Sequence, residues 1–304
     1  MQAYFPVSGV EVNPLVPLIV AFVVSALTAP AGVSGAFLLL PFQVSILGFS
    51  SPAVSPTNLI YNMVATPSGV YRYVREKRVV WPLAWVVIVG TLPGVFIGAL
   101  LRVTLLSKLD AFRVFVGIVL LYVGVRLLYE TLKSSLRGDI EPVEQLRPGP
   151  QRIPGGGTVM TTKVSLRQVE YRFRGRTYSF NTAAVFLLSL MVGVIGGIYS
   201  IGGGSIIAPF LVSIFELPIY TIAGATLIGT LITSIAGVAF FEILTMIGFG
   251  SQAAPDWLLG AVLGIGGLAG TYAGATIQRF LPDFWIRVVL GSLVALLALR
   301  YLIG

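Results

Sequence analysis

The apolar part of this chain is written twice. The run Gly35-Ala36-Phe37-Leu38-Leu39-Leu40-Pro41-Phe42 answers Gly203-Gly204-Ser205-Ile206-Ile207-Ala208-Pro209-Phe210. Ser68-Gly69-Val70 answers Ala236-Gly237-Val238, and Gly90, Gly94 and Gly98 answer Gly266, Gly270 and Gly274. Arg113, Gly117 and Arg126 answer Arg287, Gly291 and Arg300. Each half is therefore a copy of one structural unit. Related halves in an apolar chain are a common plan of secondary transporters, which hold their substrate where the repeats meet.

The bilayer is the expected solvent. Of 304 residues, 56% are hydrophobic and 11% charged, where a soluble domain carries about 25% charged. Residues 12–31, 82–101 and 257–277 are uncharged runs of the ~20 residues that cross a membrane as a helix. With no histidine and no cysteine, imidazole bases, thiol redox chemistry and the usual zinc ligands are excluded. No cofactor is expected. The first charge is Glu11, so the basic start of a standard signal peptide is missing. The net charge of +8 gathers in Arg72-Tyr73-Val74-Arg75-Glu76-Lys77-Arg78 and between Lys133 and Arg176. Loops rich in arginine and lysine face the cytoplasm. Nucleic-acid binding would need a folded basic module, and none is visible.

These landmarks predict an all-α polytopic membrane protein made of two inverted structural repeats. Each opens with a broken helical hairpin followed by three helices. The first repeat takes residues 1–132, with helices near 13–30, 34–49, 55–74, 82–103 and 108–132. The second takes 181–304, with helices near 182–199, 204–216, 220–248, 256–279 and 284–302. Whether the opening pairs span fully or dip in and return is open at this point. Either way each half crosses an odd net number of times, which inverts one half relative to the other. The cytoplasmic basic loops then leave both termini outside, together with Arg102, Lys108 and Arg113. Between the repeats, residues 133–180 form a cytoplasmic linker. Its segment 164–173 alternates in part, turns near Arg174-Gly175 and returns through Tyr178 and Phe180, the pattern of a small β-hairpin.

The breaks are the first candidate site. A helix broken inside the membrane frees backbone N–H groups that lipid cannot satisfy. They must face protein, water or a ligand, and the helix that restarts favours an anion at its N-terminus. Gly32, Ser34 and Gly35 stand at one break; Gly202, Gly203, Gly204 and Ser205 stand at the other. Glycine there would let a ligand approach the backbone.

These same residues carry a family resemblance. Ser200-Ile201-Gly202-Gly203-Gly204-Ser205-Ile206-Ile207-Ala208-Pro209-Phe210-Leu211 resembles the glycine-rich signature of the TauE/SafE sulfite exporter family. Ala31-Gly32-Val33-Ser34-Gly35-Ala36-Phe37-Leu38-Leu39-Leu40-Pro41 and the polar run Ser55-Pro56-Thr57-Asn58-Leu59-Ile60-Tyr61-Asn62 fit it as well. The resemblance covers both apolar halves and not the linker. It implies a permease for sulfur-containing anions such as sulfite, sulfonates or sulfoacetate. The first copy departs from the second in having Ser34 and Ala36 where the second has Gly202 and Gly204.

The following helix in each half offers side-chain donors. Asn58 and Asn62 are four apart and share a helix face; Thr226 and Thr230 hold the matching places. Such neutral donors can hold an oxyanion and release it, and they also serve as helix–helix glue in membranes. Arg113 with Arg126, and Arg287 with Arg300, each bracket only twelve uncharged residues, a stretch too short to cross the hydrocarbon core. They are expected to snorkel, or one per half turns inward. Glu242 is the one acid deep in a predicted span. It is a candidate for proton coupling or an anchor at the outer interface. The two glycine triads read as small-xxx-small packing faces.

The expected partners are a small anion and the bilayer. A proton as coupling ion and a homo-oligomer stay open. An intramembrane enzyme, such as a lipid-pyrophosphate phosphatase, would want clustered carboxylates or a histidine, so no enzyme is expected. A passive anion channel is the other alternative. No phosphate-binding loop of an ATP-driven pump is present.

Overall fold

The computed structural model describes residues 2–29, 33–136, 158–248, 253–277 and 283–303. The chain opens with a two-stranded antiparallel hairpin, β1 (Ala3–Phe5) and β2 (Val10–Val12). The first half follows as α1 (Leu15–Thr28), α2 (Ala36–Ser45), α3 (Val54–Arg75), α4 (Trp81–Thr104) and α5 (Leu109–Leu136). A sheet of β3 (Met160–Val164), β4 (Gln168–Phe173) and β5 (Arg176–Asn181) separates it from the second half. That half comprises α6 (Thr182–Tyr199), α7 (Gly203–Ser213), α8 (Ile219–Met246), α9 (Trp257–Ile277) and α10 (Asp283–Ile303).

The protein is mostly helical, and among the described residues four helices are long and apolar enough to cross a membrane: Trp81–Thr104, Thr182–Tyr199, Thr221–Met246 and Trp257–Thr276. Large apolar side chains cover the outside of the bundle. On α1, Leu15, Ile19 and Val23 recur every fourth residue and are exposed, while Ala21, Ser25 and Thr28 on the other side are buried. So continuous an apolar surface calls for lipid. Trp81, Trp85 and Trp257, all exposed, stand at helix starts, where indoles favour the membrane interface.

Glycine sets how the helices meet. A Cβ at Gly90 would lie 2.5 Å from that of Ser189, and Gly94 and Gly98 press on the backbone of Leu190 and Val194. Numbers rise together on α4 and α6, so the two run parallel. Gly266, Gly270 and Gly274 repeat the arrangement on α1, against the carbonyls of Leu18, Phe22 and Ala26. Both triads are packing faces, as expected. Gly260 rests on Ile60 and Gly264 on Val64, so α3 is also parallel to α9; Gly229 rests on Val87 and Gly237 on Val95, so α8 is parallel to α4.

The matched helices α3 and α8 cross antiparallel at the centre. Gly224 faces Tyr73, Gly69 faces Leu227 and Gly237 faces Leu59. The helices α5 and α10 also meet antiparallel, through Gly117 on Leu302 and Gly124 on Ala295.

Because α1 and α3 both run parallel to α9, the chain enters α3 from the end where it entered α1. The α1–α2 pair therefore doubles back, and α6–α7 does the same. Length agrees: 14 residues of α1 rise ~21 Å, short of the ~30 Å hydrocarbon core.

The two ends of the bundle carry different caps. At one end the N-terminal hairpin, which the sequence did not announce, is held by Ser8 N–H donating to Asp256 Oδ2 at 3.0 Å. Asp256 also caps α9, its Oδ1 accepting from Leu259 N–H. At the other end sits the three-stranded sheet. The turn at Arg174 and Gly175, with φ of 47° and 77°, joins β4 to β5 as the sequence suggested; two positive φ values are the signature of a type I′ hairpin. The expected first strand is corrected. Val164 closes a third strand, β3, because the chain turns at Ser165 and pairs Val164 with Val169. Val169, Tyr171 and Phe173 alternate inward on β4. Tyr171 Oη bonds Thr221 Oγ1 at 2.9 Å at the start of α8, and Val159 N–H donates to Lys77 O after α3. Burial pushes the Tyr171 phenol well above its ordinary range. Most of the linker before the sheet lies outside the described residues.

Gly270→Leu drives a side chain into Phe22 O, and overpacking costs about 1–3 kcal/mol or more. Its melting temperature in detergent should fall clearly. Gly48→Asn, at a left-handed residue with open space around it, should melt like the parent. Equal melting of all three proteins would contradict close α1–α9 packing.

Candidate functional site

The two breaks are solved differently. At the first, Ser34 caps α2: its Oγ accepts from Ala36 N–H at 3.2 Å and its carbonyl from Phe37 N–H. At the second, Ser200 is left-handed (φ 61°) and ends α6, and Gly202 (φ 73°) begins α7. Gly202 stands where the first half has Ser34, so it has no side chain to cap with. Thr233 of α8 takes over, its Oγ1 accepting from Gly203 N–H at 3.2 Å. Gly32 lies outside the described residues, as does the side chain of Ser205.

The breaks touch. Asn58 donates from Nδ2 to Ala36 O in the first half and to Ser200 O in the second, both at 3.0 Å. Its Oδ1 accepts from Gln43 Nε2 at 3.1 Å. Tyr199 Oη donates to Phe37 O at 2.8 Å, with the two rings stacked 5.6 Å apart. Asn58 is thus a clamp between the breaks with both of its donors engaged.

Asn62 is different. Its Oδ1 accepts a short bond from Ser34 Oγ, while its Nδ2 is buried without a partner. Gln43 Oε1 and Ser234 Oγ are also buried and unpartnered. Asn62 lies three residues beyond Leu59, and Ser234 three before Gly237, in the antiparallel α3–α8 contact. The two therefore stand at one level of the crossing.

Thr226 and Thr230 lie beside α7, but their hydroxyls donate to Ala223 O and Thr226 O. The glycines of the second break have a reason other than ligand approach. A Cβ at Gly204 would run into Thr226 O, one at Gly202 would sit 2.8 Å from Thr230 Cγ2, and one at Gly203 would sit 2.6 Å from Thr91 Cβ. They let α7 lie against α8 and α4. Gly35 likewise faces the bonded hydroxyls of Ser25 and Tyr61.

Apolar clusters flank this level at either end. Leu59, Ile60, Val238 and Phe241 pack together toward the hairpin end. Tyr73, Leu227 and Ile228, with Val70 against them, pack toward the sheet end. Adding 168 to each first-half position gives its partner: Leu59 and Leu227, Ile60 and Ile228, Val70 and Val238, Tyr73 and Phe241.

The remaining candidates lie elsewhere. Glu242 is half-buried and accepts from Trp257 Nε1 at 3.1 Å. It is twelve residues from Thr230, ~18 Å along the helix, and has the surroundings of an interfacial anchor. Arg113 and Arg300 are exposed, and Arg126 lies over the Phe210 ring, 4.1 Å from its centroid. Among the described residues no group of acids could hold a metal.

Sequence reasoning missed Gln43, Thr233 and Ser234. The signal for Ser234 was present: Asn58, Asn62 and Thr66 are answered by Thr226, Thr230 and Ser234 at one spacing. Gln43 is answered at that spacing by the apolar Leu211, so nothing in the repeat marked it.

Comparison with known proteins places the chain in a family. The family described as sulfite exporter TauE/SafE matches residues 17–301. Two relatives from Bacillus subtilis (strain 168) are similar along most of their length. "Probable membrane transporter protein YunE" is 24% identical over 223 residues, 73% of this chain and 70% of the relative. "Probable membrane transporter protein YjnA" is 25% identical over 279 residues, 87% of this chain and 91% of the relative. No solved structure matches significantly. The chain belongs to the TauE/SafE sulfite exporter family and is a polytopic membrane transporter, not an enzyme.

Proposed function

We propose that this chain is a secondary transporter of small sulfur-containing anions, such as sulfite, sulfonates or sulfoacetate, and that it holds the anion between its two helix breaks. The observation that carries the location is the pair of buried groups left open there, Asn62 Nδ2 and Ser234 Oγ. A buried polar group without a partner costs about 1–3 kcal/mol. An oxyanion between them removes that cost. The N-termini of α2 and α7 add positive potential without a fixed charge, which suits a carrier that must let its cargo go.

Alternating access is the mechanism this reading favours. The two matched apolar clusters act as gates, one at each end of the site. Opening one while the other stays packed exposes Asn62 and Ser234 to one side at a time. The antiparallel crossings of α3 with α8 and α5 with α10 support two inverted repeats, residues 1–132 and 181–304, with a linker between them. The basic residues Arg72, Arg75, Lys77 and Arg78 support a cytoplasmic sheet end on the positive-inside rule. Both termini are then outside.

Titration calorimetry with sulfite and methanesulfonate tests the site. Asn62→Leu keeps the bulk and removes the donors, and a charge-assisted bond is worth about 1.5–3 kcal/mol, so affinity should fall by roughly tenfold to a hundredfold. Asn58→Leu should instead lower the melting temperature, because it orphans two carbonyls. Parental affinity in a folded Asn62→Leu protein would place the site elsewhere.

Sidedness has its own test. Cysteines replacing Val7 and Ser165, one near each cap, should react with an impermeant reagent from opposite faces of an oriented membrane. Reaction of both from one face would overturn the topology.

A further inference from the structure

Among the described residues Arg102 is the largest fully buried side chain. It stands in the last turn of α4, at the end capped by the N-terminal hairpin. Its Nε donates to Ser55 Oγ at 3.0 Å in the first turn of α3, and its Nη1 donates to Leu106 O. The guanidinium lies over the Phe112 ring, 3.9 Å from its centroid. Its Nη2 is buried with no partner. Among the described residues no carboxylate pairs with it. One turn before Ser55, Ser51 Oγ is buried and unpartnered too.

A buried cation without a counter-ion is costly, and the unpartnered Nη2 leaves the guanidinium a charged donor suited to an oxyanion. Ser55 also opens a stripe. Ser55, Asn58, Asn62 and Thr66 follow at helical spacing on one face of α3, all buried. From Ser55 to Asn62 is about 10 Å of helix rise. Between them lies the apolar cluster of Leu59, Ile60, Val238 and Phe241, which also takes in Ala99 and Val103 on either side of Arg102 along α4.

We propose that Arg102 builds a second oxyanion site at the hairpin end of the bundle, outside the apolar gate that closes over Asn62. A small oxyanion completes the guanidinium there, bonded by Nη2, and waits at the head of the polar stripe. Fixed positive charge makes this a capture site, whereas the neutral groups at the breaks make theirs a release site. The inference rests on the transporter reading only in taking the anion to pass between this site and the breaks.

The test is stoichiometry on the full-length protein in nanodiscs, titrated with sulfite, methanesulfonate and inorganic phosphate. At least one of these anions should give two binding events per chain. Arg102→Gln should abolish one event and Asn62→Leu should weaken the other by roughly tenfold to a hundredfold, so failure of either site is read separately. Should Arg102→Gln not fold, Arg102→Lys keeps the charge and loses the fork, and the corresponding affinity should drop about tenfold. A single binding event across all three anions would overturn the proposal. So would two events that neither Arg102 variant alters.

Discussion

A helix interrupted within a bilayer leaves carbonyl and amide groups that lipid cannot satisfy, and this fold is arranged around satisfying them. The amide of Asn58 gives one hydrogen to Ala36 O and the other to Ser200 O. One side chain thereby ties the break of the first half to the break of the second. That bond fixes where the doubled-back pairs end, and so where the chain can hold a polar group at depth. Ser34 on one side and Thr233 on the other complete the restart of α2 and α7. Two of the buried groups left open, Asn62 Nδ2 and Ser234 Oγ, lie beside those restarts.

The second constraint is distance. Glycine triads on α4 and α9 bring whole helices to backbone contact with α6 and α1. The same trick at Gly202, Gly203 and Gly204 lays α7 on α8 and α4. Exchange of the two halves maps most of these pairs onto each other: α4 on α6 becomes α9 on α1, and α3 on α9 becomes α8 on α4. The apolar clusters obey the same exchange. On the proposed alternating-access reading, one set of positions would supply both gates.

Much of this was legible in the amino-acid sequence. Boundaries of α6 and of the helices after each break fell within a few residues, since uncharged runs and glycine turns mark them. The triads announced their packing by spacing alone. Less could be read where chemistry depends on who faces whom. Asn58 and Asn62 look alike in sequence, yet one is saturated and the other is not, because only Asn58 reaches both breaks. Glycine at 202–204 suggested room for a ligand, whereas Thr91 and Thr226 fill that room. Arg102 read as one of three basic residues on the outer side; its burial over Phe112 depends on α5 folding back, which no local pattern states. The N-terminal hairpin is three residues per strand, too short to carry a pattern.

The central claim is that an oxyanion sits between the breaks at the level of Asn62 and Ser234. Selenite has the shape and charge of sulfite, and selenium scatters anomalously. Crystals of the protein grown with selenite should show an anomalous peak within hydrogen-bond reach of Asn62 Nδ2 and Ser234 Oγ, absent from crystals of Asn62→Leu. Selenium bound elsewhere in the protein, with none at that level, would contradict the account.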